Sequence, residues 1–358
     1  MVRPLPLLGV MDLKKWFGRP NKSIPLPAGY NSIYWRSSGA AALAEVCERT
    51  VLQKDRKISL LLPGYFCGPS LRYLRSIRVN LKFYPLTNDL TPDYSFIKES
   101  LDKNKIDIFL LVHYFGRISS QLESRILTDE NDLILIEDCA HVISPSVSNK
   151  WVGDYLIFSP HKHFPLPSIS LILAKRTYLN DLNSMSMPPI RWFLKQLIKN
   201  IYQAIPKTEW KIVWSGIEEE SVAKVPHIRT VGAASNYLSK TDWYAKTRKN
   251  NALLLLNSLA LTNRWKPLFD LKEIESPYLL AMLCDTADAA KYRYNVLNKD
   301  NRIVMQWPDL PTEIQILKKM KTQNINSVER ILFFYVHQDI DTDPWLESIK
   351  NKISMSGF

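Results

Sequence analysis

The chain has 358 residues, of which 46% are hydrophobic and 23% charged; this length suits two domains, and the composition excludes large-scale disorder. Lysine and arginine outnumber aspartate and glutamate by 47 to 35, a formal charge of +12. Such a surface attracts nucleotides, phosphorylated substrates and acidic membranes, but the basic residues form no block of five or six, which argues against a nucleic-acid-binding tail.

The start of the chain does not predict a targeting or membrane-spanning segment. The opening sequence MVRPLPLLGV is mostly apolar, but it contains two prolines and soon turns charged. We therefore expect neither a signal peptide nor a transmembrane segment. The four cysteines, Cys47, Cys67, Cys139 and Cys284, include no C-x-x-C pair. Their spacing excludes zinc-finger and redox motifs and predicts a reducing, cytoplasmic setting.

Apolar runs alternate with polar helical stretches over the first two-thirds of the chain. Short runs rich in Ile, Leu, Val and Phe are typical of parallel strands that are buried on both faces. Strands are predicted at Ile58–Leu62, Val79–Pro85, Ile106–His113, Leu133–Glu137, Tyr155–Ser159 and Leu171–Ala174. Helices are predicted at Ala40–Gln53, Pro69–Ser76, Asp93–Asn104 and Ser120–Thr128. The alternation predicts an α/β fold around a mostly parallel sheet.

The pattern changes after residue 190. In Arg191–Lys207 apolar residues recur at helical spacing with basic residues between them, which predicts an amphipathic helix. A position in the core or at a subunit interface is favoured for it, and a membrane surface is the alternative. Residues 209–250 are predicted to be helical. Later strands are predicted at Tyr278–Cys284, Arg302–Trp307 and Ile331–His337, interleaved with helices, and the run Pro344–Ile353 closes the chain. We therefore predict a large domain at residues 1–240 and a smaller α/β domain at 241–358.

The segment SSGAAAL opens the helix predicted at Ala40–Gln53. Small residues and a glycine at a helix N-terminus leave backbone N–H groups free to hold a phosphate. An ordinary N-cap formed by Ser38 is the simpler interpretation of the same residues. The segment is neither a G-x-G-x-x-G nor a Walker sequence, so the usual dinucleotide and P-loop sites have no support.

Two predicted strands end in ionisable side chains. One runs into Glu137, Asp138 and His141, and the other is followed by Lys162, which stands between two histidines. Ligands of α/β sheets bind at the carboxyl ends of strands, where a carboxylate can hold a cationic nitrogen. A lysine in a partly buried pocket has a lowered pKa and can form a Schiff base. A helix cap by Asp138 and a solvated Lys162 are the alternatives.

The order of these motifs along the chain is more specific than any one of them. A phosphate-type helix start comes first, then a strand-end carboxylate with a histidine, and then a strand-end serine and lysine. This is the order that a pyridoxal-phosphate enzyme requires, because backbone amides hold the phosphate, a carboxylate the pyridine nitrogen and a lysine the aldehyde.

Over nearly its whole length the sequence resembles the DegT/DnrJ/StrS family of pyridoxal-phosphate sugar aminotransferases. The landmarks are SSGAAAL, LPGYFCGPS, LLVHYFG, LILIEDCAH, GDYLIFSPHK and ILFFYVHQDI. The resemblance implies aminotransferase fold type I, with a large mostly parallel α/β/α domain, a smaller C-terminal α/β domain and a homodimer. It also implies the cofactor pyridoxal 5'-phosphate and transfer of an amino group, with glutamate as the expected donor, to a nucleotide-linked keto-sugar for surface polysaccharide biosynthesis.

The same resemblance implies a role for each matching residue. Lys162 matches the lysine that holds the cofactor, and Asp138 matches the residue that keeps the pyridine nitrogen protonated. His141 matches the position beside the ring hydroxyl, and Ser159 matches the serine that reaches the phosphate. The phosphate-binding turn is matched by Ser38, Gly39 and Ala40.

Three positions depart from the family pattern. Ala40 stands where a threonine hydroxyl often holds the phosphate, and Cys67 stands where an aromatic ring often stacks on the cofactor. Residues 168–170 replace a Gly-Gly pair, and the β-branched Ile169 does not readily copy a glycine backbone with positive φ. The departures motivate an alternative function, a degenerate family member that acts as a binding or scaffold protein. A third hypothesis is a metal site formed by His141, His161 and His163.

Overall fold

The structure is a computed structural model. It describes residues 8–19, 24–103, 105–119, 132–148, 150–176, 186, 188–203, 224–259, 265–299, 304–307, 310–319 and 328–355. The helix predicted at Ser120–Thr128 lies outside these residues, and so do residues 204–223 of the predicted helical stretches.

Seven strands form the larger sheet, and the predicted buried runs supply six of them. The strands are β1 (Ser32–Arg36), β2 (Ile58–Pro63), β3 (Val79–Tyr84), β4 (Ile108–Val112), β5 (Ile134–Cys139), β6 (Tyr155–Phe158) and β7 (Ser170–Ala174). Their order across the sheet is β1-β7-β6-β5-β4-β2-β3. Four neighbouring pairs are parallel, and the two pairs that include β7 are antiparallel. The predicted mostly parallel α/β sheet is confirmed.

Burial decides which strands the sequence pattern reveals. Strands β4, β6 and β7 are buried along their whole length, as expected for strands that helices cover on both faces. The edge strand β1 was not predicted, because its apolar run in SIYWR is only three residues long; its burial is mixed, with Ile33 37% exposed and Arg36 buried. Its partner β7 runs antiparallel to it, with Tyr34 opposite Ile172.

Nine helices lie among the residues that the structure describes. They are α1 (Val10–Phe17), α2 (Gly39–Lys54), α3 (Tyr94–Lys103), α4 (Ile190–Gln203), α5 (Ile228–Leu238), α6 (Asp242–Leu259), α7 (Ala287–Leu297), α8 (Thr312–Lys319) and α9 (Thr342–Met355). The predicted helix Pro69–Ser76 is instead two 3-10 turns, Gly68–Leu71 and Leu74–Ser76. Pro69 lacks an N–H donor, and the segment is too short to repay α-helix nucleation. No helix in the described ranges is both long and apolar enough to cross a membrane.

A second, antiparallel sheet lies in the C-terminal part of the chain. Its strands are β8 (Trp265–Pro267), β9 (Leu279–Cys284), β10 (Val304–Met305) and β11 (Ile331–Tyr335), in the order β10-β11-β9-β8. One cluster of buried side chains joins the two sheets, and Ile136 and Phe333 both belong to it. The predicted α/β character of this part is confirmed, whereas the boundary between residues 240 and 241 stays a prediction.

Candidate active site

The N-terminus of α2 presents two free backbone donors. The hydroxyl of Ser38 accepts a hydrogen bond from the N–H of Ala41 at 3.2 Å, and the Ser38 carbonyl accepts the N–H of Ala42. These bonds confirm the N-cap interpretation of Ser38. Among the described residues nothing accepts a hydrogen bond from the N–H of Gly39 or Ala40, which belong to the first turn of the helix. Both donors are therefore available to an anion, with the helix dipole in support.

Ser159 lies directly against this helix start. A Cβ atom added to Gly39 would sit 2.9 Å from the Ser159 hydroxyl oxygen, so the glycine leaves no room for a side chain. Ser159 is buried and follows β6, and its carbonyl accepts the N–H of Lys162 at 3.0 Å. The fold therefore places Ser159 and the neighbouring Lys162 segment against the start of α2, although more than 100 residues of sequence separate them from it.

The charges of Lys162 and Asp138 interact at the carboxyl ends of the neighbouring strands β6 and β5. Burial lowers the pKa of Lys162, and the carboxylate of Asp138 opposes that shift. Burial raises the pKa of Asp138, while the charge of Lys162 and a 2.9 Å hydrogen bond from the Ala140 N–H oppose it. A lysine with a lowered pKa holds a larger neutral fraction, which makes it a better nucleophile. The alternative of a fully solvated Lys162 is not what this structure shows.

Cys67 is half-buried at the start of a 3-10 turn after β2. A negative charge on the Cys67 thiol would raise the pKa of Lys162, so the two side chains lie close together. The neighbouring residue Tyr65 faces inward. Its ring is buried, and it packs on Tyr114 and Trp307 with centroid distances of 5.6 and 4.6 Å.

His141 is clamped between two aromatic rings. Its imidazole stacks on Tyr278 at 4.6 Å and on Phe115 at 5.3 Å. The backbone N–H of Phe115 points to His141 Nδ1 at 3.4 Å, a long hydrogen bond. Burial lowers the pKa of His141 well below its ordinary value, and the charge of Lys162 adds to this, so the ring is neutral. An aromatic-lined, neutral imidazole beside Lys162 fits a position next to a flat ring.

Phe115 holds a left-handed backbone conformation, with φ 56° and ψ 23°, although it is fully buried. The next residue, Gly116, has φ +94°, and a Cβ atom there would lie 2.2 Å from the carbonyl oxygen of Ser276. Non-glycine residues with positive φ are strained and cluster at functional sites. The Phe-Gly pair after β4 was the signal for this turn, but its contact with the segment before β9 is a tertiary fact.

A buried hydrogen-bonded pair, His113 and Glu137, holds the strand that carries Asp138. His113 Nε2 is 2.7 Å from a carboxylate oxygen of Glu137, and both side chains are fully buried. The other Glu137 oxygen accepts the N–H groups of Val152 and Gly153 at 2.7 and 2.5 Å. The N–H of Ser119 donates to His113 Nδ1 at 3.1 Å, so the ring proton belongs on Nε2, facing Glu137. The pair fixes the end of β5 and thereby the carboxylate of Asp138.

Arg248 and Gln338 hold the backbone of the lysine segment from the C-terminal part of the chain. Arg248 donates to the His163 carbonyl at 3.0 Å and to Gln338 Oε1 at 3.0 Å, and Gln338 Nε2 donates to the same carbonyl at 3.2 Å. Burial lowers the pKa of Arg248 to about 10. Neither residue was singled out from the sequence, and nothing in their local patterns marks them.

The segment after Lys162 does not need a glycine backbone. Among the described non-glycine residues only Asp55, Leu90 and Phe115 have positive φ, so Ile169 sits in an ordinary conformation. Ile169 is buried, and its carbonyl lies 2.9 Å from His161 Nδ1. Ile169 therefore does not copy a positive-φ glycine backbone, as expected for a β-branched residue, and the segment closes onto His161.

The histidines of this segment have separate environments. The ring of His163 is buried, with the backbone of Ala140 beside it and Tyr278 packed edge-on at a centroid distance of 5.2 Å. Burial lowers the pKa of His163 well below its ordinary value, and the charge of Arg248 adds to the shift. Across the described ranges no three His, Cys, Asp or Glu side chains are grouped so that they could hold a metal ion. The metal hypothesis thus loses its structural support.

The comparisons with known proteins decide the architecture. Helicobacter pylori PseC, an aminotransferase involved in the biosynthesis of pseudoaminic acid, superimposes with a TM-score of 0.71 at 13% identity, covering 100% of this chain and 99% of PseC. The chain has the aminotransferase fold. The aminotransferase TlmJ from Streptoalloteichus hindustanus gives a TM-score of 0.67 at 13% identity, with 99% and 98% coverage. NtdA from Bacillus subtilis, with bound cofactor PMP, gives 0.65 at 13% identity, with 99% and 84% coverage.

The same comparisons confirm the predicted fold class, aminotransferase fold type I, over the full length of the chain. No family model matches the sequence. No curated protein sequence matches it either. The likeness to these aminotransferases therefore lies in the fold, which the motifs of the sequence had indicated.

Proposed function

We propose that the protein is a pyridoxal-phosphate-dependent sugar aminotransferase. The observation that carries the proposal is the Lys162 amine, electrostatically coupled to the Asp138 carboxylate. The free N–H groups of Gly39 and Ala40 and the Ser159 hydroxyl bound the same site. Amine, carboxylate and anion-binding helix start are the three contacts that this cofactor needs.

The residues that are present fit the cofactor. The crowding of Gly39 against Ser159 fixes a close backbone approach at the helix start, which suits a phosphate rather than a side chain. Ala40 contributes only its N–H, so the Ser159 hydroxyl is the side-chain donor there. When bound, the cofactor supplies an aldehyde that exchanges amino groups and a ring that withdraws electrons.

The chain's own residues then have distinct tasks. Lys162 would hold the cofactor, and its neutral amine would move a proton to and from the substrate carbon. Asp138 would hold the ring nitrogen of the cofactor by a charge-assisted hydrogen bond. His141, neutral and held flat by Phe115 and Tyr278, orients the cofactor ring.

We also propose the substrates that the resemblance implies, glutamate as the donor and a nucleotide-linked keto-sugar as the acceptor. Two observations support this class. The net charge of +12 suits a pyrophosphate group, and PseC, which shares the fold, is an aminotransferase involved in the biosynthesis of pseudoaminic acid. A cytoplasmic homodimer with a role in surface polysaccharide biosynthesis belongs to the same proposal.

A binding or scaffold protein with the same fold is the second candidate. The Ala40 and Cys67 positions favour it, because one lacks the usual phosphate-binding hydroxyl and the other the usual stacking ring. The two candidates differ in turnover: both bind the cofactor, but only an aminotransferase passes its amino group onwards.

Absorbance spectroscopy tests the proposal. Purified protein mixed with pyridoxal phosphate should show a band at about 420 nm, where the lysine-bound cofactor absorbs. Lys162→Ala and Lys162→Arg should both lack the band, whereas the exposed-lysine control Lys57→Ala should keep it. Loss of the band on adding glutamate identifies an aminotransferase, and a band that glutamate leaves unchanged identifies the binding protein. Wild-type protein without the band, or Lys162→Ala with it, would contradict the proposal.

A further inference from the structure

Three helices outside the proposed site form one apolar and basic face, which we call the α1/α4/α5 face. Phe17 at the end of α1 is the point where they meet. Its ring stacks on Phe193 of α4 with a centroid distance of 6.4 Å, and the guanidinium of Arg229 from α5 lies 6.0 Å from its centroid. Despite these contacts Phe17 is 64% exposed. The three helices therefore share a continuous surface.

Large apolar side chains stand in solvent across this face. Besides Phe17, the exposed ones are Leu13, Ile190, Leu194 and Ile228. Leu13 and Phe17 lie one helical turn apart, and so do Ile190 and Leu194, so each pair projects from one side of its helix. Single exposed apolar residues are ordinary, but a contiguous group of this kind marks an interaction surface.

The charge of the face has one sign. Among the described side chains, its helices carry the basic residues Lys14, Lys15, Arg191, Lys195 and Arg229, with Arg19 and Lys240 just beyond two helix ends, and one acidic residue, Asp12. Asp12 is already used within the fold, because it accepts the hydroxyl of Tyr237 at 2.6 Å and the N–H of Gly9 at 2.8 Å. No other acidic residue in these described segments offsets the basic charge.

Below this surface the helices are firmly anchored. Trp16 is buried and packs on Trp192 at 5.2 Å and on Phe193 at 4.6 Å. Lys15 donates to the carbonyl of Asn236, which ties α1 to α5. The exposed residues therefore stand on a rigid base and do not depend on a partner for their position.

We propose that the α1/α4/α5 face docks the protein onto an anionic membrane surface. Apolar side chains flanked by lysine and arginine are what an interfacial helix needs, since the apolar groups enter the headgroup boundary and the cations contact acidic lipids. A second copy of the chain is a poorer occupant, because a two-fold interface would press this basic face against an identical one. Nucleic acid would leave Phe17, Ile190 and Leu194 without an apolar partner.

Vesicle sedimentation tests this inference. The full-length protein should bind vesicles containing phosphatidylglycerol and bind pure phosphatidylcholine vesicles far more weakly, with the difference shrinking as salt is raised. The charge-reversal variant Arg191→Glu/Lys195→Glu should reduce binding by about thirtyfold or more. Reversing two exposed lysines elsewhere, Lys57→Glu/Lys291→Glu, should reduce it much less.

A second pair of variants isolates the apolar part. Leu194→Glu should lower vesicle binding, whereas Leu52→Glu, which changes an equally exposed leucine on α2, should not. Since both positions are exposed, both variants should have the same midpoint of urea unfolding as the wild-type protein. Equal binding of all variants, or no binding of wild-type protein to anionic vesicles, would overturn the inference. A concentration-dependent dimer that Leu194→Glu dissociates, without vesicle binding, would assign the face to a second copy.

Discussion

Replacing Glu137 by alanine should be among the most destabilising single changes in the large sheet. The substitution removes the acceptor of three buried donors: His113 Nε2–H, the Val152 N–H and the Gly153 N–H. Each buried donor left without a partner costs about 1–3 kcal/mol. Because such costs are not additive, we expect a loss of about 4 kcal/mol in the free energy of unfolding.

Glu137→Gln separates the parts of this cost. Its amide oxygen can still accept the N–H groups of Val152 and Gly153, but its NH2 group would face the Nε2–H of His113. The ring cannot reverse its tautomer cheaply, because Nδ1 is occupied by the N–H of Ser119. The glutamine variant should therefore lose about 1–3 kcal/mol in the free energy of unfolding, less than the alanine variant loses. Glu99→Ala, which removes an exposed carboxylate paired only with Lys103, should cause no measurable change.

Urea unfolding followed by circular dichroism gives these free energies, and its pH dependence checks the charge. Burial alone would raise the pKa of Glu137, but the hydrogen bonds from His113, Gly153 and Val152 outweigh it and lower the pKa. A carboxyl whose pKa is lower in the folded state stabilises the protein above its ordinary pKa of about 4.3. The difference between wild type and Glu137→Gln should therefore shrink as the pH falls below that value. Equal stability of alanine and glutamine variants would refute the reasoning.

Two further substitutions probe the proposed cofactor site. Gly39→Ala places a Cβ atom 2.9 Å from the Ser159 hydroxyl, so it should weaken pyridoxal phosphate binding at least tenfold in a fluorescence titration. In a Ser159→Gly background, which lacks both the crowding atom and the proposed phosphate donor, the same change should have much less effect, and an equal effect in both backgrounds would show that crowding is not the cause. Arg248→Met removes the buried donors to the His163 carbonyl and to Gln338, and should cost about 2–4 kcal/mol of stability and raise the dissociation constant of the cofactor. Arg75→Met, which breaks an exposed ion pair with Glu313, is the control, and equal effects of the two variants would argue against a role for Arg248 in holding the lysine segment.

The sequence by itself determined the strands of the large sheet and the identity of the reactive groups. Runs such as Ile108–Val112 are buried on both faces, so they must be apolar throughout, and that requirement is visible in one dimension. Lys162 and Asp138 stand out because ionisable residues at the ends of such strands are costly unless they are used. The edge strand Ser32–Arg36 was not predicted, since its apolar run is only three residues long and a polar residue stands at each end.

The tertiary structure alone decided how the site is held. Glu137 and His113, Arg248 and Gln338, and the stacking of Tyr278 on His141 all join segments far apart in the chain. Partners of this kind are selected by distance in space, and no local pattern of residues encodes which carbonyl an arginine will reach. The left-handed turn at Phe115 belongs to the same class, because contacts with the segment around Ser276 and Tyr278 hold it in place. Local sequence thus indicated which side chains carry the chemistry, and long-range packing determined their positions and shifted their pKa values.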